Sequence, residues 1–589
     1  MNQIGKFDRP VAGDNKPMEW VSDVSAEMLR KLGIKYVSLN PGASYRGFHD
    51  SIVNYLGNEE PQMLLCLHED HAISIAHGYS KVADEMMGAI VHSNVGLMHG
   101  LMGIFNAWCD RAPIFVMGAT GPVDAPLRRP WIDWIHTSRD QAAIIRPYVK
   151  WDDQPASLEA SLASMLRSSV ITNTAPKAPT YVCFDVSVQE ERIDDMPALP
   201  AVDRHAVPRV ATFSESDARA VLALLERSQN PVFLMGRVSR DQADWDRRVA
   251  LAEHFGARVV TDIKTAAAFP TRHPLHIGAP GYFVSQDAAK GIAQADLVVS
   301  FDWVDPGGTL KQAGIDLENT KVVSVTLDPL LTNGWSLDHQ AFAPSDLTVL
   351  ADPDAAIRGI CLAAGLSENA AGEMDIPKSI ITDHMAEALI SISSLADTLA
   401  NALLDETASY LRLTLSWSGS KCDFRSPLDY LGYDGGAGIG SGPGMAVGSA
   451  LALKDSGRLP VAVLGDGDFL MGATAIWTAA HHGVPLLIVV ANNRSYFNDE
   501  VHQERVAIDR GRPVENKHVG QAIREPDIDI AAIARAQGAL AFGPVKTIGA
   551  LKTTLEEAIA ATRSGQTVVV DARVEPGYSD EMAEGMTNK

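Results

Sequence analysis

Residues 461–493 read VAVLGDGDFLMGATAIWTAAHHGVPLLIVVANN. An apolar run at 461–464 stops at a Gly-Asp-Gly turn, a helix-like segment continues to Ala480, and a second apolar run ends at two asparagines. This pattern predicts a strand, a helix and a second strand. If the strands are parallel neighbours joined by a crossover, Asp466 and Asn493 both lie at their carboxyl ends, where open α/β sheets bind ligands.

Asp466 and Asn493 offer a carboxylate and an amide oxygen, which are hard oxygen donors. Two such donors are too few to enclose a magnesium ion, but they suffice if a bound diphosphate supplies other ligands. The stretch therefore predicts a cation site that a phosphorylated cofactor completes. The alternative is an ordinary strand–helix–strand unit with a glycine-rich turn.

Residues 435–444 read GGAGIGSGPG, which is too dense in glycine for the interior of a strand or a helix. A helix-like segment follows at 445–453. A glycine-rich turn that leads into a helix presents free N–H groups and the positive end of the helix dipole. We therefore predict that this segment cradles an anion, and the alternative is a flexible loop.

The bulk composition limits the classes of partner. The chain has 589 residues and a formal charge of −23, which argues against a surface for nucleic acid or anionic membranes. Five scattered cysteines show neither a disulfide framework nor zinc-site spacing. The first 17 residues lack a signal-like apolar segment, and no stretch approaches the roughly 20 apolar residues of a membrane span. We expect a soluble, cytoplasmic protein whose partners are small molecules.

Alternating apolar runs and helix-like segments predict an α/β chain with three doubly wound, mainly parallel-sheet domains. We place the domains at 1–192, 209–365 and 376–589. Two stretches are predicted to be irregular: a solvated connection at 357–374 and a long loop over the site at 497–525.

Gly-Asp-Gly, 24 residues and then Asn-Asn resembles the signature of thiamine diphosphate-dependent enzymes. The three domains resemble the pyrimidine-binding, central and diphosphate-binding order of the decarboxylase and acetolactate synthase family. Local matches to the benzoylformate decarboxylase branch are HSNVG at His92, FPTRHP at Phe269 and VSVTLDP at Val323. The resemblance implies thiamine diphosphate and magnesium as cofactors.

The resemblance also assigns the metal ligands. It implies that Asp466, Asn493 and the backbone carbonyl of Ser495 hold the metal, and that Asn493 and Ser495 thereby also contact the cofactor. Gly467 and Asp468 are expected to approach the diphosphate through backbone groups. Many relatives carry serine in place of Asp468, so we expect its carboxylate to turn away from the phosphates.

Other residues are assigned to the organic part of the cofactor. The resemblance implies that backbone at Ala437 meets the 4'-amino group, and that Ile439, next to Gly438, supports the bent cofactor. Glu69, in LHEDHAISIAHGYSKVA, is expected to hydrogen-bond N1' of the pyrimidine. A capping or salt-bridging role is the alternative for Glu69.

His92 matches the histidine that moves protons to and from substrate-derived groups in the benzoylformate decarboxylase branch. The alternative is a hydrogen-bonded histidine at a strand end. Two departures from the branch concern its substrate contacts: Ala43 stands at a serine position, with Ser44 adjacent, and the central segment FDWVDPGG lacks a second histidine and leaves Trp303 nearby.

We therefore predict a thiamine diphosphate- and magnesium-dependent lyase that decarboxylates a 2-oxo acid, with aromatic acids among the candidates, to an aldehyde. Acetolactate synthase-like carboligation and 2-hydroxy ketone cleavage are same-cofactor alternatives. A flavin- or nicotinamide-dependent oxidoreductase is another, although the central domain lacks GxGxxG. The last alternative is a non-catalytic binding protein. The resemblance implies a homo-oligomer, a dimer of dimers, whose sites are shared between subunits.

Overall fold

The computed structural model of the chain describes residues 6–11, 17–210, 212–328, 344–366 and 386–578. The predicted start of the third domain, at residue 376, lies outside these ranges. So does the second part of the predicted connection at 357–374.

Sixteen named strands form three sheets in the described part of the chain, and every pairing between them is parallel. The N-terminal sheet has the order β2-β1-β3-β4-β6-β5, the central sheet β11-β10-β9-β7-β8 and the C-terminal sheet β12-β13-β14-β16-β15, where the strands are β1 Tyr36–Leu39, β2 Gln62–Leu65, β3 Met87–Ile90, β4 Ile114–Thr120, β5 Asp152–Asp153, β6 Thr180–Asp185, β7 Pro231–Met235, β8 Arg258–Val260, β9 Leu297–Phe301, β10 Lys321–Thr326, β11 Leu347–Leu350, β12 Ala408–Arg412, β13 Leu459–Gly465, β14 Leu486–Asn492, β15 Leu540–Val545 and β16 Thr567–Arg573.

The helices connect and cover these strands. They are α1 Val21–Lys31, α2 Arg46–Asp50, α3 Glu69–Ala83, α4 Ser93–Cys109, α5 Ile132–Ile135, α6 Leu158–Asn173, α7 Val186–Gln189, α8 Glu215–Leu225, α9 Gln242–Phe255, α10 Gln286–Ala293, α11 Pro306–Ala313, α12 Pro353–Ala363, α13 Ile392–Ala402, α14 Gly442–Ala452, α15 Asp466–Gly472, α16 Ala475–His481, α17 Phe497–Asp509, α18 Ile530–Ala536 and α19 Ile548–Arg563.

Each sheet is buried on both faces. Successive side chains of a strand point to opposite sides of the sheet, so one strand contributes to two cores. On β13, Val461 and Val463 join one apolar core while Ala462 and Leu464 join another. Strands of the other two sheets divide their side chains between two cores in the same way. The predicted α/β class with three doubly wound parallel sheets is confirmed.

The N-terminal and C-terminal sheets are joined by the packing of α3 against α14. A Cβ atom at Gly78 would lie 2.1 Å from the carbonyl oxygen of Met445, and one at Gly448 would lie 1.9 Å from that of Ile75. Only glycine permits this backbone approach. The contact fixes the start of α3 relative to the glycine-rich segment that precedes α14.

Two predictions of irregular structure were wrong. The segment 497–525 contains α17. Only Glu500 and Ala507 of this helix are buried, so the helix has no apolar stripe that its sequence could show. Residues 357–363 belong to α12, whose Ile357 and Ile360 are buried. An N-terminal signal was present for α12, since Asp352 caps the helix and Pro353 follows it.

Candidate active site

The C-terminal sheet places Asp466 and Asn493 side by side. β13 ends at Gly465 and β14 at Asn492, and the two strands pair in register up to Gly465 and Ala491. The backbone N–H of Ser495 donates to Asp466 Oδ2 at 3.2 Å and to Asn493 Oδ1 at 2.9 Å. The structure therefore brings the three predicted metal-site residues together around one amide.

This cluster has the chemistry of a cation site. Asp466 is 4% exposed, and burial raises the pKa of its carboxyl to about 6 although N–H groups of Gly467, Arg494 and Ser495 oppose the shift. A buried carboxylate next to an amide oxygen is a hard-oxygen donor set that a magnesium ion would stabilise. The residues present thus fit the metal end of a magnesium diphosphate.

Glu500 joins this cluster from α17. The hydroxyl of Ser495 donates to Glu500 Oε1, and both residues are buried. Glu500 was not predicted as a site residue, because the segment 497–525 was expected to be a loop. The contact instead ties a helix to the turn that carries Asn493 and Ser495.

The glycine-rich segment lies between the C-terminal sheet and α4. Ala437 has a positive φ of 53°, and a Cβ at Gly438 would lie 2.3 Å from the Met102 side chain. Ile439 is 40% exposed, which is unusual for a side chain of its size in a segment otherwise packed against a neighbouring helix. The segment therefore presents one bulky apolar side chain to the outside of the single chain.

Asp468 does not leave the amides of this segment free. Its Oδ1 accepts from the backbone N–H groups of Gly440 at 2.7 Å and Gly442 at 3.2 Å. At those two amides the predicted anion cradle therefore holds a carboxylate of the chain itself. The carboxylate was expected to turn away from phosphates, and the structure shows that it turns toward the start of α14.

Glu69 begins α3 directly after the turn that follows β2, and it is 6% exposed. Its Oε2 lies 3.1 Å from Nδ1 of His99. The cap of α3 is His68, whose Nδ1 accepts the N–H of Asp70 at 3.1 Å. Helix capping therefore does not account for the Glu69 carboxylate, and the contact with His99 corresponds to the salt-bridging alternative.

His92 lies at the N-terminus of α4, and its Nδ1 is 2.9 Å from the hydroxyl oxygen of Ser44. Burial lowers the pKa of His92, and the neighbouring His136 lowers it further, while Glu69 acts in the opposite direction. The ring centroids of His92 and His136 are 4.9 Å apart. The imidazole is thus neutral near pH 7, and its neighbours orient the ring.

Glu69 and His92 share one neighbour, Gly96 on α4. A Cβ atom at Gly96 would lie 2.7 Å from Glu69 Oε1 and 3.1 Å from His92 Cβ. Both side chains therefore line the same edge of the N-terminal sheet, with His99 one turn farther along α4. His99 was not predicted as a site residue; its spacing of seven positions from His92, two turns of a helix, was the available signal.

The central sheet carries a cavity of about 580 Å³ at the carboxyl ends of β8 and β9, lined by Trp303, Lys264, Asp262 and residues of α11 among others. Trp303 is the residue left near the position of the missing second histidine. Its indole N–H donates to Thr309 at 2.8 Å, so Trp303 is engaged in the wall of the cavity.

Within the described residues, no helix combines the length and apolar character that crossing a membrane requires.

Family models match three parts of the chain in the order of the three sheets. Residues 19–144 match the thiamine pyrophosphate enzyme N-terminal TPP binding domain, residues 218–358 the central domain, and residues 414–572 the C-terminal TPP binding domain.

Similarities to individual proteins agree with these family matches. The chain is 25% identical to benzoylformate decarboxylase of Pseudomonas aeruginosa over 95% of this chain and 100% of that one. It is 23% identical to the acetolactate synthase large subunit of Lactococcus lactis over 50% of this chain and 48% of that one. The crystal structure of benzoylformate decarboxylase from Polynucleobacter necessarius shares the fold, with a TM-score of 0.75 at 20% identity over 95% of this chain and 100% of that one.

The family models, the similar proteins and the parallel-sheet fold point to the same family over nearly the whole chain. The chain belongs to the thiamine pyrophosphate enzyme family, in its group of decarboxylases and acetolactate synthases.

Proposed function

We propose that the chain is a thiamine diphosphate- and magnesium-dependent lyase that decarboxylates a 2-oxo acid, with aromatic acids as the first candidates, to an aldehyde. The observation that carries the proposal is that Glu69 and His92 both lie against Gly96. In the same chain, Asp466 and Asn493 converge at the edge of a second sheet. Similarity to a benzoylformate decarboxylase over nearly the full length supports the choice of substrate class.

The C-terminal residues hold the charged end of the cofactor in this proposal. Asp466, Asn493 and the carbonyl of Ser495 would bind magnesium, and backbone at Gly467 would meet the diphosphate.

The glycine-rich segment contributes the surface for the organic part of the cofactor. Backbone at Ala437 and Gly438 would contact the aminopyrimidine, and Ile439 would support it. The exposure of Ile439 supports this role, because a large apolar side chain at the surface of one chain is available to a ligand or a second chain.

Bound thiamine diphosphate supplies an electron sink next to the carbon–carbon bond that breaks. Glu69 would hold a proton against a pyrimidine nitrogen, a task suited to the carboxyl group of a buried residue. His92 would exchange protons with substrate-derived groups, and Ser44 would orient its ring through the 2.9 Å contact with Nδ1.

Replacing His92 by alanine is expected to lower turnover roughly 100-fold while leaving the exchange of the cofactor's C2 proton nearly unchanged. The reason is that His92 acts on the substrate rather than on the cofactor. Ser44→Ala is the matched control, since it keeps the imidazole and removes the hydrogen bond to its ring together with the one from the Ser93 N–H, and its effect should stay within about tenfold. Stopped-flow turnover and proton NMR measure the two steps. Unchanged turnover in His92→Ala would show that the histidine is structural.

Carboligation is the second candidate reaction, because the chain also matches acetolactate synthases. The two reactions differ in product: decarboxylation yields one aldehyde and one carbon dioxide per acid consumed, whereas carboligation joins two carbonyl compounds. Mass-spectrometric product analysis with benzoylformate, pyruvate and a 2-hydroxy ketone separates them. We expect an aldehyde and carbon dioxide from a 2-oxo acid. A 2-hydroxy ketone or acetolactate as main product would replace the decarboxylase proposal.

We further propose a cytoplasmic homotetramer, a dimer of dimers in which a site combines residues of two chains. Ile439 and Met471, 40% and 55% exposed, lie on adjoining segments of the single chain, and their exposure supports burial by a second copy. Native mass spectrometry measures the assembly, and a monomer at micromolar concentration would contradict it.

A further inference from the structure

The carboxylate of Asp468 lies inside a ring of donors at the start of α14. Besides the two amides that donate to Oδ1, its Oδ2 lies 3.1 Å from Nη2 of Arg412. Asp468 is 7% exposed, so the two amide hydrogen bonds and the ion pair with Arg412 form away from solvent, where hydrogen bonds to a charged acceptor are strong.

The backbone at 440–442 has the form of an anion-binding turn. Gly440 has a φ of 103° and Ser441 a φ of −78°, and this change of sign aims the N–H groups of Gly440 and Gly442 at one point. The 11-residue helix α14 begins at Gly442, so its dipole also favours negative charge there. The anion at this point is the chain's own carboxylate.

Arg412 anchors the carboxylate from the other side. Its side chain is 1% exposed, it pairs with Asp434 as well as Asp468, and the ring of Tyr433 lies 4.1 Å from the guanidinium carbon. A buried guanidinium needs such partners, because an unpaired charge in the interior is strongly destabilising. Asp468 therefore belongs to a fixed, internally paired cluster.

Gly442 is shaped to admit this carboxylate. A Cβ atom there would lie 2.2 Å from Asp468 Oδ2, and the three nearest atoms all belong to Asp468. Its φ is not in the left-handed region, so the backbone itself would accept alanine. Glycine at this position thus serves the contact with Asp468.

We propose that Asp468 is a positioning residue: a built-in anion that holds residues 440–442 and thereby fixes the direction in which the preceding Ile439 projects. The part concerning Ile439 rests on the proposed function. Met471, one turn after Asp468 on α15, also packs on this turn, since a Cβ at Gly440 would lie 3.1 Å from Met471 Cβ. The segment is then ordered before a cofactor binds, which lowers the entropy lost on binding.

The first test uses hydrogen–deuterium exchange in the cofactor-free protein. In Asp468→Ser, the amides of Gly440 and Gly442 should exchange at least about tenfold faster, because each loses a hydrogen bond to a charged acceptor. Asp468→Asn keeps an acceptor oxygen and should retain part of the protection. Amides between β13 and β14 serve as the internal control and should not change. Unaltered exchange of Gly440 and Gly442 in folded Asp468→Ser would overturn the anchoring role.

The second test is a double-mutant cycle on the thermal midpoint. Gly442→Ala should lower the midpoint in the wild type and lower it much less in Asp468→Ser, where the obstructing carboxylate is gone. Gly444→Ala is the matched control, because its Cβ would lie 2.7 Å from Cβ of Ser74 and its cost should be the same in both backgrounds. Equal losses for Gly442→Ala in the two backgrounds would contradict the proposal.

Calorimetry with thiamine diphosphate and magnesium tests the role of the segment in binding. Asp468→Ser should bind roughly tenfold more weakly, since the turn must then be ordered at the moment of binding. Unchanged or tighter binding would overturn the positioning role, and tighter binding would mean that the carboxylate competes with the diphosphate. If the wild type binds no thiamine diphosphate, the proposed function and the part concerning Ile439 fall together, while exchange and stability still decide the anchoring.

Discussion

Glu69→Gln is expected to fold and to bind thiamine diphosphate, yet to exchange the cofactor's C2 proton roughly 100 to 10,000 times more slowly than the wild type. Glutamine keeps the shape of the side chain and removes the acid, so the loss falls in the range of acid–base catalysis. Glu69 is buried and its Oε1 faces Gly96. Proton NMR after rapid quenching in deuterated buffer measures the exchange.

Glu85→Gln is the matched control for this change. Glu85 lies in the same N-terminal region, pairs with Lys35 at 2.7 Å and has a half-exposed side chain, so its replacement should leave exchange unaltered. Near-normal exchange in Glu69→Gln would mean that another carboxyl group activates the cofactor.

Asp466→Ala is expected to purify folded but without bound cofactor. Of the three proposed metal ligands, Asp466, Asn493 and Ser495, only Asp466 supplies a carboxylate, and a magnesium ion retains too few protein ligands without it. Isothermal titration with thiamine diphosphate and magnesium should show no saturable binding at millimolar cofactor, while circular dichroism should match the wild type.

Asp455→Ala supplies the comparison for this variant, because Asp455 is an exposed aspartate of the same domain. It should bind the cofactor like the wild type. If Asp466→Ala retains wild-type affinity, the assignment of the metal ligands is wrong.

The stretch at 461–493 could be interpreted because its two strands are continuous apolar runs bounded by turn residues. β13 and β14 lie where the runs predict them, and adjacency then brings Asp466 next to Asn493 without further information. The single helix expected between them is two helices, α15 and α16.

Elements without a strong pattern were missed. α17 is polar on most of its surface, and β15 contains Gly543 and Pro544, which ordinarily signal a turn. β15 lies at the edge of its sheet, where a proline is tolerated. In both cases tertiary contacts decide the structure, and a local pattern does not report them.

The contacts of Asp468 could not be predicted from sequence either. They join Asp468 to the glycine-rich segment and to Arg412, and nothing in the spacing of these residues indicates that they meet. An arginine that is 1% exposed also runs against the usual preference of this residue for the surface. The same holds for Glu69 and His99, which meet through the packing of two helices.

The central proposal is that Glu69 and Asp466 serve one cofactor from two different chains. Glu69→Gln and Asp466→Ala are each expected to be inactive alone. When the two variants are dissociated together and allowed to reassociate, a mixed dimer has one site with both defects and one with neither.

The activity of that mixture is the most direct measurement. Random pairing makes half of the dimers mixed and leaves half of their sites intact, so about a quarter of wild-type activity should return. Native mass spectrometry on chains of different isotopic mass verifies the exchange of subunits. No activity in a mixture with verified exchange would show that Glu69 and Asp466 do not meet across two chains, and would contradict the shared site.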